Sequence, residues 1–193
     1  MEKGDYLSEI LRSDRTVFSI SDIAILWQES NLNAMRVRLS YYVRNGDLYR
    51  IRKNFYAKNK TYNRLELANR LFTPSYIGFE TVLSGERMIF QYSTVITAAT
   101  YLTRSLTIEE QEFSYRKIKD SILLAPNGVI VQEPYSIASR ERAFLDMLYL
   151  FPGFYFDNTR EVDWKLVFEI LPIYKNNRLE KEIEKMYHEK DNE

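Results

Sequence analysis

Cysteine is absent from the 193 residues, and the one histidine, His188, lies in a charged C-terminal stretch. Without thiols there can be no disulfide, no thiolate metal site and no cysteine nucleophile, and a reducing compartment agrees with that. A single histidine argues against zinc chemistry and Ser-His triads. No apolar run approaches the ~20 residues of a membrane helix, and the opening MEKGDYLSEI lacks a signal-peptide core. A cytoplasmic location with no membrane partner is therefore expected. No Gly-x-Gly-x-x-Gly or Walker loop occurs, so phosphate-handling enzymology has no support. Net charge is lacking too: 27 Lys and Arg balance 27 Asp and Glu.

What is present is an ordinary globular composition, 45% hydrophobic and 28% charged, with aromatics at 15% and Tyr the most frequent of them. The charge is unevenly divided. Residues 1–60 hold 11 cations and 7 anions, or +4, leaving 16 against 20, or −4, for the remainder. Most of the excess falls between Asn33 and Lys60. There Arg36, Arg38, Arg44, Arg50, Arg52, Lys53, Lys58 and Lys60 face only Asp47, a local +7. A neutral chain that gathers its cations this way presents a basic face, as proteins that neutralise nucleic-acid phosphates do.

The same stretch has a legible local structure. A first helix is expected from about Asp5 to Leu11. Ser19 and Asp22 fit a capping box ahead of a short helix through Ile23–Trp27. Asn33 is the expected N-cap of a third helix. On it Met35, Leu39, Tyr42 and Val43 share one face. Val37, Ser40, Tyr41 and Arg44 point the other way, with Arg36 and Arg38 on the flanks. Asn45-Gly46 ends the helix. Tyr49 and Ile51 then alternate with Arg50 and Arg52, Lys53-Asn54 turns, and Phe55–Ala57 returns as the second strand of a hairpin. An outward helix face of Ser, Tyr and Arg suits base edges and phosphates, and equally describes a solvated surface. An arginine-edged hairpin following it favours the nucleic-acid reading, although such an edge can also serve only to block aggregation.

The pattern Val-Arg-Leu-Ser…Val-Arg-Asn-Gly-Asp-Leu-Tyr-Arg-Ile-Arg-Lys-Asn-Phe-Tyr-Ala resembles the winged helix of AbiEi-type antitoxins, transcriptional regulators of type IV toxin–antitoxin (abortive infection) systems. Further on, Ser75–Leu83 (SYIGFETVL) resembles that family's Tyr-Ile-Ser-x-Glu-Ser-Ala-Leu segment, expected as a helix from about Tyr76 to Gly85. Ile137–Leu150 (IASRERAFLDMLYL) resembles its Ala-x-Pro-Glu-Arg-Ala-Leu-Leu-Asp-Leu-Leu-Tyr-Leu helix. The matches run from about Phe18 to Leu150 in the family's order. Asn54 replaces a usual Gly in the wing turn, and Ser139 a common Pro. The resemblance implies repression of the operon that encodes the protein and a nucleotidyltransferase-like toxin, with no need for a stable toxin complex.

Residues 58–63 form a polar stretch expected to link two units. Beyond it the sequence predicts a helix at Arg64–Phe72 with Leu65, Ala68, Leu71 and Phe72 on one face. Strands follow at Val95–Thr100 and Gln111–Ile118, with a hairpin whose arms, Ile122–Leu124 and Val129–Val131, flank Pro126-Asn127-Gly128. The Ser139–Leu150 helix should bury Ala143, Phe144, Met147 and Leu148. Trp164, Val167, Phe168 and Leu171 make another stripe, and Leu179, Ile183 and Met186 a last helix.

Three features invite chemical readings. Asp163-Trp164-Lys165 has the Asp-x-Lys spacing of metal-dependent nucleases, but it opens an amphipathic helix where an acid favours the dipole. Glu141, Arg142 and Asp146 read as a first-turn acid with a fold-holding ion pair. The run Phe151, Phe154, Tyr155, Phe156 reads as core closure, with a partner surface as the other possibility.

Taken together, an α+β protein is expected. A winged helix-turn-helix occupies 1–60 and a mixed helix and antiparallel-sheet domain occupies 61–193. Asn33, Arg36, Val37, Arg38, Ser40, Tyr41 and Arg44 from the helix, with Arg50, Arg52, Lys53 and Asn54 from the wing, are the expected contacts to double-stranded operator DNA. No catalytic residue, metal or cofactor is expected. The competing readings are a small nuclease targeted by the winged helix, and a winged helix that binds protein.

Overall fold

The computed structural model describes residues 5–190, an α+β chain with two sheets. The first part runs α1 (Asp5–Arg12), β1 (Val17–Ser19), α2 (Ile20–Trp27), α3 (Leu32–Asn45), β2 (Tyr49–Arg52) and β3 (Phe55–Ala57). The capping box forms as expected: Asp22 N donates to Ser19 Oγ at 3.1 Å, and Ser19 N to Asp22 Oδ2 at 2.8 Å. The hairpin gains a third strand absent from the sequence reading, because β1 pairs antiparallel with β3, giving the order β1-β3-β2. Three residues are too short to show a period of two, which is why β1 was invisible. Ile10, Phe18, Ile23, Trp27, Met35, Leu39 and Tyr56 make a core of their own.

The second part continues with α4 (Arg64–Leu71), β4 (Ser75–Ile77), α5 (Glu80–Gly85), β5 (Ile96–Thr100), β6 (Arg104–Ile108) and β7 (Gln111–Lys117). Then come α6 (Asp120–Leu123), β8 (Val129–Gln132), β9 (Tyr135–Ala138), α7 (Arg140–Leu150), α8 (Trp164–Ile170), a 3₁₀ turn at Leu171–Tyr174 and α9 (Asn177–Lys190). The larger sheet has the order β6-β7-β5-β4-β9-β8. It is mixed, which corrects the expected antiparallel sheet: β5 pairs parallel with β7, and β4 parallel with β9. Each hairpin docks through its second strand, and that reverses the polarity at the junction.

Two further expectations are overturned. Tyr76 does not start a helix; it lies in β4 between β5 and β9, and the helix begins only at Glu80. Pairing on both sides outweighs the local pattern. Ile122 and Leu123 belong to the short helix α6, and β8 pairs with β9 instead. Arg142 explains the difference. Its guanidinium, fully buried, donates to the carbonyls of Ile122 (2.7 Å) and Asn127 (2.6 Å) and so fastens that segment over α7.

Ser139 caps α7 through the amide of Arg142. The helix buries Ala143, Phe144, Met147 and Leu148 as expected, and with them Leu145 and Asp146. The ion pair Arg142 Nε–Asp146 Oδ1, at 3.2 Å, is closed off from solvent. Tyr76 Oη and Tyr174 Oη each donate to Asp146 at 2.7 Å. Burial pushes the Asp146 carboxyl and both phenols upward, against the pull of Arg142 on all three. The network joins β4, α7 and the 3₁₀ turn. Breaking such a pair by removing one partner costs roughly 3–5 kcal/mol.

Other patterns shift by a residue or two. In α4 Glu66 and Leu67 are buried along with the expected Ala68, while Leu65, Leu71 and Phe72 pack half-buried against the core. In α8 Ile170 is buried where Phe168 was expected, and Phe168 is 39% exposed. Phe156 closes the core and Phe154 packs against it, whereas Tyr155 points outward. The expected linker is pinned. Lys58 Nζ donates to the carbonyls of Leu11 and Ser13, and Tyr62 is buried. Glu66, also buried, accepts from Thr16 N (2.8 Å) and Thr16 Oγ1 (2.6 Å), and Arg70 bridges Glu66 and Asp22. Val17, Ile51 and Ala57 complete the core of the second part. No helix among the described residues is long and apolar enough to cross a membrane.

Candidate nucleic-acid interface

Helix α3 starts two residues earlier than expected. Asn31, not Asn33, is its N-cap, with Oδ1 accepting from the amides of Asn33 and Ala34 at 3.1 Å each. Both asparagines suit a cap, and it is Asn31 that accepts from two first-turn amides. Asn33 lies in the first turn, its Oδ1 3.4 Å from Arg36 Nη1. Met35, Leu39 and Tyr42 are buried and Val43 packs behind them. On the opposite face Val37 is 71% and Tyr41 53% exposed, and Arg36, Ser40 and Arg44 are exposed beside them. Gly46, at φ +82°, ends the helix as expected.

The hairpin rises next to this face. Asn54 adopts φ +65° at the turn, the left-handed conformation that asparagine tolerates better than most residues. Arg50 pairs with Tyr56, and a bulge between Arg50 and Arg52 changes the register. Helix and hairpin enclose a groove of about 290 Å³. Arg36, Ser40 and Arg44 line it from α3, and Arg50, Lys53 and Asn54 from the hairpin, with Val43 and Tyr56 contributing the apolar part of its lining. Four cations and no acid face this space. Among the described residues none of these four pairs with a carboxylate, whereas Arg64, Arg70, Arg116, Arg140, Arg142 and Arg178 all do.

Not every expected residue joins them. Arg38 turns inward, its guanidinium 3.8 Å from the Tyr6 ring centroid and 5.5 Å from that of Trp27. A cation over two electron-rich faces ties α3 to α1 and α2, and its position i+2 from Arg36 takes it off the groove face. Arg52 is exposed but lies outside the groove, close enough for its charge to oppose the burial that raises the Tyr115 phenol. Val37 and Tyr41 are outward but beyond the groove lining. Lys58 is committed to carbonyls, and Lys60 sits 5.8 Å above the Tyr49 ring. Of the eight cations counted along the sequence, four line the groove and four do not.

A second cluster escaped the sequence reading. Glu109, at the β6–β7 turn, accepts hydrogen bonds from Tyr49 of β2, from Tyr62 (2.7 Å) and from Arg64 (3.0 Å). Burial alone would raise its carboxyl, but those donors and the Arg64 charge hold it below the ordinary glutamate value. Partners 60, 47 and 45 residues away carry no local signal.

Asp163, the nuclease candidate, is the N-cap of α8 and accepts from Leu166 N at 3.2 Å. Among the described residues no group of three or more His, Asp and Glu side chains is placed to hold a metal. No protein-family model matches the sequence, and a search of curated proteins finds no similar one.

Proposed function

We propose that residues 5–60 form a winged helix-turn-helix that binds double-stranded DNA, with α3 in a major groove and the β2–β3 hairpin as the wing. The observation that carries it is the groove of unpaired Arg36, Arg44, Arg50 and Lys53, drawn from two elements and free of acids. Holding four cations together without counterions is unfavourable unless an anion completes the set. At 14 residues α3 is about 20 Å long, ample to cross a major groove roughly 12 Å wide. On this reading Arg44 and Tyr41 read base edges and Arg50, Arg52 and Lys53 hold phosphates, Tyr41 and Arg52 acting from beyond the groove lining. The resemblance in the sequence extends this reading to a transcriptional repressor acting as the antitoxin of a type IV pair, whose functional partner is a nucleotidyltransferase-like toxin.

Binding of the full chain to duplex DNA, measured across salt, tests the proposal. Four to five neutralised phosphates give a slope of log K against log salt near −4. A flat salt response, or no binding at low salt, overturns it. Metal-dependent cleavage of that DNA, abolished in Asp163→Asn, would replace it with the nuclease reading. For the antitoxin role, the full chain should relieve the toxicity of a nucleotidyltransferase encoded beside it, and failure to do so removes that part alone.

A further inference from the structure

We infer that Val37, in the middle of the outward face of α3, reads the 5-methyl group of a thymine, with the Tyr41 ring as the second wall of the contact. This rests on the DNA-binding reading of α3 and names what that face selects.

At about 100° per residue, Val37 lies nearly opposite the buried Met35, Leu39 and Tyr42. It is 71% exposed. Ser40 and Arg44 stand on the side of it that lines the groove, and Tyr41 stands on the other. Tyr41 follows Val37 by four positions, where side chains on a helix are neighbours. Its ring packs edge-on against that of the buried Tyr42, with centroids 5.8 Å apart and planes at 65°. That contact narrows the positions open to the Tyr41 ring and keeps it beside Val37.

Water does not favour a valine here. β-branched side chains lose χ1 freedom in a helix, and alanine, lysine or glutamate suits a wetted face better. Phosphate does not favour it either, because a hydrocarbon offers the anion no donor. The apolar group that a major groove presents among its donors and acceptors is the thymine methyl.

Charge complementarity selects the occupant. Arg36 and Arg44 on the same helix, with Arg50 and Lys53 across the groove, have no carboxylate partner. A DNA major groove offers phosphates along its rims and base edges on its floor, so cations flanking a central apolar residue match it. An apolar protein surface laid over Val37 would instead desolvate those cations without pairing them.

The full chain is used to enrich a random-sequence duplex library at fixed salt. The tightest duplex is then resynthesised with deoxyuridine replacing each thymine in turn, which removes only the methyl. At one position the loss should be about fourfold, the worth of one buried carbon group. 5-Bromodeoxyuridine at that position, whose bromine is close to a methyl in size, should restore the affinity. Val37→Ala should bind the thymine and deoxyuridine duplexes equally and keep the parental slope of affinity against salt. It should also melt no lower than the parent, because alanine is the better helix former. If every deoxyuridine duplex binds like the thymine one, or Val37→Ala retains the methyl preference, the inference falls while DNA binding stands. A lower melting temperature for Val37→Ala would overturn it too, by making Val37 a packing residue. If the chain holds no duplex at low salt, the DNA-binding reading itself fails, and the methyl contact with it.

Discussion

At the residue scale, the contrast between Arg38 and Arg44 on one helix decides what each can do. Arg38 is spent on Tyr6 and Trp27 inside the fold, whereas Arg44 opens into the groove with no acid beside it. Arg44→Ala should weaken operator binding by ~1–3 kcal/mol and relax discrimination, because the proposed role of Arg44 is a base contact. Lys53→Ala should weaken operator and scrambled DNA alike, because the proposed role of this hairpin cation is to meet phosphate. Arg38→Ala should lower the melting temperature and leave the affinity of the folded protein intact. Competition titrations of the three variants on both DNAs check this. Equal loss on both DNAs for Arg44→Ala would make it a phosphate contact.

At the element scale, α3 depends on the cap at Asn31. Asn31 satisfies two first-turn amides that otherwise face only water, so Asn31→Ala should cost ~1 kcal/mol by urea denaturation. Asn33→Ala should cost clearly less, since Asn33 makes one long contact to Arg36. If Asn33→Ala proved the more damaging, the frame of the helix would be the one first expected from the sequence. The same logic separates the helices that were legible from the strands that were not. Helix α7 announces itself by its apolar spacing and its Ser139 cap, and it is found there. Strand β4 does not, because three residues gain their conformation from β5 and β9 on either side.

At the scale of the whole molecule, the two parts of the chain are fastened together by acids. Glu66 holds Thr16, and Glu109 holds Tyr49, Tyr62 and Arg64. Because the Glu109 carboxyl is held below its ordinary value in the folded chain, its contribution is complete above the unfolded value of ~4.3. It is lost as pH falls through the lower folded value. Glu109→Gln should therefore be less stable than the parent at neutral pH, and the gap should close as the pH drops below about 4. Urea midpoints of both proteins from neutral pH downward measure it. A gap that stayed constant with pH would show that the carboxylate charge is not what the clasp uses.

Composition and local pattern determined a good deal. They revealed an α+β chain without thiols, the α2 capping box, the outward face of α3 and the Asn54 turn, because each depends on residues within a few positions of one another. Tertiary structure decided the rest. It set which strand of each hairpin joins the large sheet, turned Arg38 inward, and brought Glu109 to the β2–β3 hairpin across some sixty residues. It also buried Arg142 under the segment expected to be a strand. The physical reason is one of range. Caps, turns and amphipathic faces are settled by neighbours in sequence, whereas pairing polarity and the fate of a buried charge are settled by partners that only folding assembles.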